Sequence, residues 1–432
     1  MAQHVGGLPL RDCLIFGSRP IASAYRIYFG ARVAPLLVLG FASGLPLALT
    51  GGALQAWATL DGVSLQEIGF LTLVGSAYTL KFLWAPLIDR YVPPLLGRRR
   101  GWMLITQLLL AVGIMAMGAF SPSNALFTLA LLAVAVAFLS ATQDIAFDAY
   151  CSDVLRPEER GAGAAIRTLG YRLAMVVSGG LALVIADRWL GWGYTYVMMG
   201  GLMALCAIAT LLAPEPEAPA RQPRSLARAV IEPFKDFFSR GDALTILALI
   251  VFYKLGDAFA GALSTTFLIR GAGFSATEVG TVHKVLGLTA TIFGALAGGT
   301  LMARLGLYKS LLWFGVLQAV SNLAYWLIAI SPKSIALMAL GVGIENVCGG
   351  LGTAAFVALL MALCAGQFSA TQFALLSALS AVGRTYLAGP LTPVLVESFG
   401  WPVFFLLTVL IAVPGLVLLW LRRRDIEALD RR

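Results

Sequence analysis

Charged residues are scarce in this sequence. Asp, Glu, Lys and Arg make up 12% of its 432 residues, about half of the 25% carried by a typical soluble domain. With 59% hydrophobic residues and a mean hydropathy of +0.85, that shortage excludes a soluble globular protein. Histidine is nearly absent. His4 and His283 lie far apart, so neither an imidazole metal site nor the nucleophile–base pattern of a hydrolase can be drawn, and an enzyme is not expected. Cysteine is sparse: Cys13, Cys151, Cys206, Cys348 and Cys364, with no CxxC. None falls in an outer loop, so no disulfide framework is implied. The first 32 residues lack an apolar core ending in a small-residue cleavage site, so no cleaved leader is expected; Arg11, Arg19, Arg26 and Arg32 suit a cytoplasmic start.

What the chain has instead is apolar runs. Twelve recur, at roughly 33–57, 66–89, 101–119, 125–151, 161–186, 191–213, 242–268, 276–302, 308–330, 335–364, 370–396 and 400–421. They exceed the about 9–11 residues of a membrane strand, so the expected fold is all-α and integral to the lipid bilayer. The net charge of +9 is topological and not a nucleic-acid footprint. Of 31 Lys and Arg, 22 fall in segments on one side, against Arg188, Arg270 and Lys333 on the other. That bias places both termini in the cytoplasm.

The chain reads as duplicated. Gly62–Gly69 (GVSLQEIG) returns as Gly273–Gly280 (GFSATEVG), 211 residues on, and 85–90 has a counterpart in 299–304. Ser64 with Glu67 has capping-box spacing. The implied organisation is a cytoplasmic segment 1–32, a six-helix bundle 33–213, a linker 214–241, a second six-helix bundle 242–421 and a cytoplasmic tail 422–432. The linker has early prolines, while Ser225 to Phe238 reads as an amphipathic surface helix. Duplicated bundles are a mark of secondary transporters, with the substrate site between halves near the midplane.

Against this apolar background the charges inside spans stand out. SATQDIAFDAYCSD (Ser140 to Asp153) carries Asp144 and Asp148, four residues apart and so on one helix face, with Gln143 beside them. A charge at a span centre costs about 2.5–3.5 kcal/mol on insertion scales; where it persists it faces protein or a water-filled path. Lys81, Arg167 and Arg172 lie at similar depth, so the five are expected to form one network in the first half. Bracing of helices 2, 4 and 5 and contact with a substrate fit that network equally. In the second half, Lys254 and Asp257 have i, i+3 spacing. His283 and Lys284 follow, then Glu345 beside Asn346, with Arg384 expected to pair with Glu345. In the first span Gly40, Gly44, Gly51, Gly52 and Pro46 permit close packing or a bend, and Gln55 is polar near its outer end.

The 2–3 loop, DRYVPPLLGRRRGW (Asp89 to Trp102), resembles the G-x-x-x-D-R-x-G-R-R motif of the major facilitator superfamily, with Ala85 in place of the first glycine and extra residues before Gly97. The resemblance implies a gating role for Asp89 and Arg90 through helix 11, a carboxylate against a helix dipole; Arg98, Arg99 and Arg100 serve equally as orientation determinants. LGFASGLPLALT, FLWAPLIDRY, SATQDIAFDAY, ERGAGAA, YKLGDAF, IENVCGG and TQFALLSALSAVGR resemble the AmpG-type muropeptide permeases within that superfamily. The resemblance implies a monomer in the Gram-negative inner membrane, without cofactor. It would import N-acetylglucosaminyl-1,6-anhydro-N-acetylmuramyl peptides with protons, on the proton motive force, for peptidoglycan recycling, which feeds β-lactamase induction. For that anionic sugar-peptide, Lys81, Gln143, Arg167, Arg172, Lys254, Lys284, Asn346 and Arg384 are candidate contacts, as are the rings of Tyr78, Tyr171, Tyr253 and Tyr386. The candidate proton carriers rank Asp148 or Asp144, then Glu345, then Asp257. Another anionic cargo, such as acetyl-coenzyme A, is the alternative; a sensor without transport fits the duplicated embedded charges less well.

Overall fold

The computed structural model describes residues 29–94, 96–156, 159–216, 241, 243–364 and 369–429, all of whose regular elements are helical. The expected linker helix at Ser225 to Phe238, most of the N-terminal segment and the side chain of Asp89 lie outside the described residues. We number the helices in chain order: α1 Pro35–Leu60, α2 65–90, α3 Arg98–Met117, α4 Pro122–Val154, α5 160–190, α6 Gly191–Leu212, α7 Ala243–Gly271, α8 Ala276–Leu305, α9 Leu307–Ile330, α10 Ile335–Ala362, α11 369–399 and α12 401–421. Among the described residues nine helical stretches are long and apolar enough to cross a membrane. Two of these, Ala162–Leu212 and Leu375–Leu421, run to 51 and 47 residues, more than twice the about 20 a crossing needs; Gly191 and Gly400 divide them. The α2 segment is not among the nine, because two 3₁₀ turns, Thr72–Gly75 and Lys81–Leu83, interrupt it.

The duplication is visible in the backbone. Six glycines have positive φ: Gly62, Gly97, Gly191, Gly273, Gly306 and Gly400. The first three precede α2, α3 and α6, and the last three repeat them before α8, α9 and α12. At Gly97, Gly191, Gly306 and Gly400, φ is +69 to +77° and ψ lies near 180°, a conformation open essentially to glycine alone. Both α2 and α8 open with a full capping box, Ser64 with Glu67 and Ser275 with Glu278.

Within the first half α5 lies on α1 so closely that a Cβ on Gly170 would stand 2.1 Å from the Leu37 carbonyl oxygen, and one on Gly40 2.4 Å from that of Arg167. In the second half α8 meets α10 the same way, through Gly294 and Gly350. Small residues at such crossings let backbones approach where lipid offers no hydrophobic drive. Large apolar side chains such as Val112, Phe127, Leu296 and Leu410 stay exposed and form the surface a bilayer covers. The four described cysteines are free.

The halves join at the end opposite the arginine-rich loops, through two glycine crossings. Gly280 of α8 packs on Gly180 of α5, and Gly69 of α2 packs on Gly389 and Pro393 of α11. Gly69 and Gly280 are equivalent in the repeat, as are Gly180 and Gly389, so the joint has the pseudo-two-fold symmetry of the duplicated sequence.

Candidate functional site

In the first half, α4 sets Asp144 and Asp148 one turn apart. Asp144 accepts a hydrogen bond from Ser43 Oγ of α1 at 2.5 Å and faces Lys81 Nζ of α2 at 3.9 Å. Asp148 forms an ion pair with Arg167 of α5, whose guanidinium also lies 5.2 Å from the Phe147 ring. The 3₁₀ turn Lys81–Leu83 in α2 carries Lys81. The expected five-charge network is thus two ion pairs, and Arg172 joins neither among the described residues. Gln143 is buried beside Asp144, and its Oε1 has no hydrogen-bond partner among them. Tyr78 and Tyr171 belong to the same electrostatic neighbourhood as Asp144.

In the second half, Lys254 pairs with Asp257 at 3.8 Å, as the spacing predicts, donates to Thr353 Oγ1 at 3.3 Å and lies over the Phe356 ring. Tyr253, expected as a sugar platform, is buried: its hydroxyl donates to the Leu311 carbonyl at 2.9 Å and its ring stacks on Phe356. Lys284 reaches the seam, donating to Thr265 Oγ1 at 2.9 Å and standing against Gly52 of α1. Glu345 and Arg384, expected as a pair, form none here. Glu345 accepts from Asn346 Nδ2 at 2.7 Å, and Arg384 is exposed. Helix rotation decides this: α10 turns Glu345 toward α9, where Tyr325 and His283 meet at 3.5 Å.

At the basic end, Arg99 pairs with Asp153 of α4 at 2.9 Å, and Arg100 donates to the last carbonyls of α6 at Thr210 and Leu211 and pairs with Glu215 at 3.3 Å. Both brace their own bundle, with cations at a helix C-terminus. Arg90 is exposed.

The sequence reading passed over the seam, which is rich in polar contacts. Gln55 of α1 donates to the Ala262 carbonyl of α7 at 3.0 Å, and the Thr59 and Thr266 hydroxyls lie 2.9 Å apart. Arg270 donates through Nε at 2.9 Å and Nη2 at 2.6 Å to the Thr59 carbonyl at the end of α1. Thr277, at the start of α8, donates its N–H at 3.1 Å and its hydroxyl to Asp187 of α5; Gln66, at the start of α2, donates to Glu397 of α11 at 2.9 Å. Gln66 and Thr277 are repeat equivalents, each two residues beyond a capping serine. The duplicated octapeptide is the sequence signal that could have found them.

The Arg270 contact is a charge-assisted latch worth about 1.5–3 kcal/mol. Arg270→Ala is expected to raise the reactivity of a cysteine placed at Thr266, fully buried in this state, toward an impermeant maleimide by about tenfold. Unchanged labelling would remove Arg270 from the joint.

The chain matches the Major Facilitator Superfamily over residues 36–344. It is 60% identical over 402 residues to the anhydromuropeptide permease of Escherichia coli (strain K12), an alignment covering 93% of this chain and 82% of the relative. Among solved structures it overlays a bacterial homologue of the human lysosomal transporter Spinster, inward-facing and unoccupied, with TM-score 0.68 and 17% identity over 96% of this chain and 99% of that one. It also overlays a D-xylose–proton symporter with TM-score 0.68 and 12% identity over 91% and 97%. At these identities the overlays speak for the fold alone.

Proposed function

Because this chain belongs to the major facilitator superfamily, and within it to the family of the Escherichia coli anhydromuropeptide permease, we propose that it imports anhydromuropeptides into the cytoplasm by proton-coupled alternating access. The observation that carries the reading is 60% identity sustained over 93% of the chain. The placement of charge supports it. Lys81, Arg167, Lys254 and Lys284 are held at membrane depth by partners that leave hydrogen-bond capacity for the carboxylates of a peptide arm. Arg172 and Arg384 have no ion-pair partner among the described residues and add to that set.

In this reading the twelve helices each cross the inner membrane of a Gram-negative cell, with both termini and the 214–241 linker cytoplasmic. The glycine joint is then the closed periplasmic side, and the conformation is inward-facing. The transporter acts as a monomer, and the proton motive force takes the place of a cofactor.

Purified protein in liposomes with an imposed inward proton gradient is expected to accumulate labelled N-acetylglucosaminyl-anhydro-N-acetylmuramyl peptide and to lose the accumulation with a protonophore. Equilibration without accumulation would keep the substrate and remove the coupling. Uptake of acetyl-coenzyme A in place of the muropeptide would replace the reading.

A further inference from the structure

Of the carboxylates at the middle of the described helices, three have a cation in contact. Asp144 has Lys81 at 3.9 Å, Asp148 has Arg167, and Asp257 has Lys254 at 3.8 Å. Glu345 has none. Its carboxylate accepts from the Asn346 amide at 2.7 Å, and the hydroxyl of Tyr325 shares its surroundings. Asn346 is itself fixed, donating to the Val342 carbonyl at 2.9 Å and accepting from Thr291 of α8 at 2.9 Å. Tyr325 is 1% exposed, stacked on Phe405 and edge-on to Phe267. Its hydroxyl lies 3.5 Å from His283 Nε2, while His283 Nδ1 is buried without a partner. That pattern fits an imidazole protonated on Nε2 and donating to Tyr325, leaving the tyrosine proton to point to Glu345.

The charges facing Glu345 come from two other helices. From α7 come Lys254, held by Asp257 and Thr353, and Asp257 itself; from α11 comes the exposed Arg384. None is in ion-pair contact with it. The paired acids are poor proton carriers, because neutralising Asp148 or Asp144 strips a membrane-depth cation of its counter-ion. Protonating Glu345 orphans no cation, and its partners are neutral groups that hold the side chain in either form.

We propose that Glu345 carries the coupling proton, with Tyr325 and Asn346 positioning it, and that Asp144 and Asp148 are counter-ions. A proton from periplasmic water adds to the Glu345 carboxylate, giving a neutral carboxylic acid. The same proton returns to cytoplasmic water after the halves rock, with no other bond changed. This rests on the proposed symport and names the acid within it.

The test separates exchange from coupling in proteoliposomes. A one-unit pH gradient supports about tenfold accumulation for one proton per substrate. Glu345→Gln is expected to accumulate no muropeptide under the gradient while still exchanging labelled for unlabelled muropeptide. Asp148→Asn is expected to lose exchange and accumulation in proportion. Gradient-driven accumulation by Glu345→Gln, or selective loss of it in Asp148→Asn or Asp144→Asn, overturns the assignment. Should Glu345→Gln also lose exchange, muropeptide affinity against pH decides: pH-independent binding in the folded variant supports the assignment, and a wild-type pH profile overturns it. Absence of accumulation by the wild-type protein would sink the symport reading itself.

Discussion

Oxidation of a Thr59→Cys, Thr266→Cys double variant is expected to reduce transport to background, and reduction to restore it. The two hydroxyls lie 2.9 Å apart where α1 and α7 face each other across the joint, and both residues are buried. Sulfur in those positions needs only a small rotamer change to reach the about 2.05 Å of a disulfide. Alternating access needs this face to part, since Gln55, Thr59, Gln66 and Asp187 on one half all bind partners on the other. A covalent bond there holds this end of the protein closed. Cys151, Cys206 and Cys348 are buried, and the two single-cysteine variants control for them. Uninterrupted transport by the oxidised double variant would mean that the joint does not open.

Gly170→Ala is expected to cost about 3 kcal/mol, at the upper end of ordinary overpacking. In an open helix position the same substitution gains about 1 kcal/mol of helix propensity, so the sign depends on space. At Gly170 the new methyl would stand 2.1 Å from the Leu37 carbonyl oxygen and 3.0 Å from its carbon and the Phe41 nitrogen. These are backbone atoms of another helix, and no side-chain rotation relieves them. The helices α1 and α5 must move apart, loosening the neighbouring contacts at Gly40 and Gly44. At Gly201 and Gly299 nothing lies within 4 Å, and alanine there is expected to be neutral or slightly stabilising. Thermal inactivation of the three purified variants checks the contrast; equal stability would show that the α1–α5 crossing has slack.

The sequence reading reached furthest where geometry is local or repeated. Lys254 meets Asp257 because i, i+3 spacing puts them on one face whatever else surrounds the helix. Ser64–Glu67 and Ser275–Glu278 close as capping boxes because all their atoms lie within one turn. The backbone adds to the duplication read from the octapeptides: the glycines at 97, 191, 306 and 400 recur in a conformation open essentially to glycine alone.

It reached least far where helix rotation and crossing decide. Glu345 and Arg384 have opposite sign and similar depth, but α10 turns Glu345 to Asn346 and Tyr325, and the charges stay apart. Arg172 sits at the depth of two ion pairs and enters neither. Tyr253, one of four candidate rings for a sugar, is buried against Phe356. Membrane placement, duplication and the inventory of embedded charges follow from the residues alone, because they depend on composition, order and contacts within a turn. Which charges meet, which acid is left without a cation, and which end of the molecule is sealed were decided by the tertiary structure. Each depends on the angle at which one helix presents its face to another, and that angle is set by glycine contacts such as Gly170 on Leu37 and Gly280 on Gly180, a hundred residues or more apart in the chain.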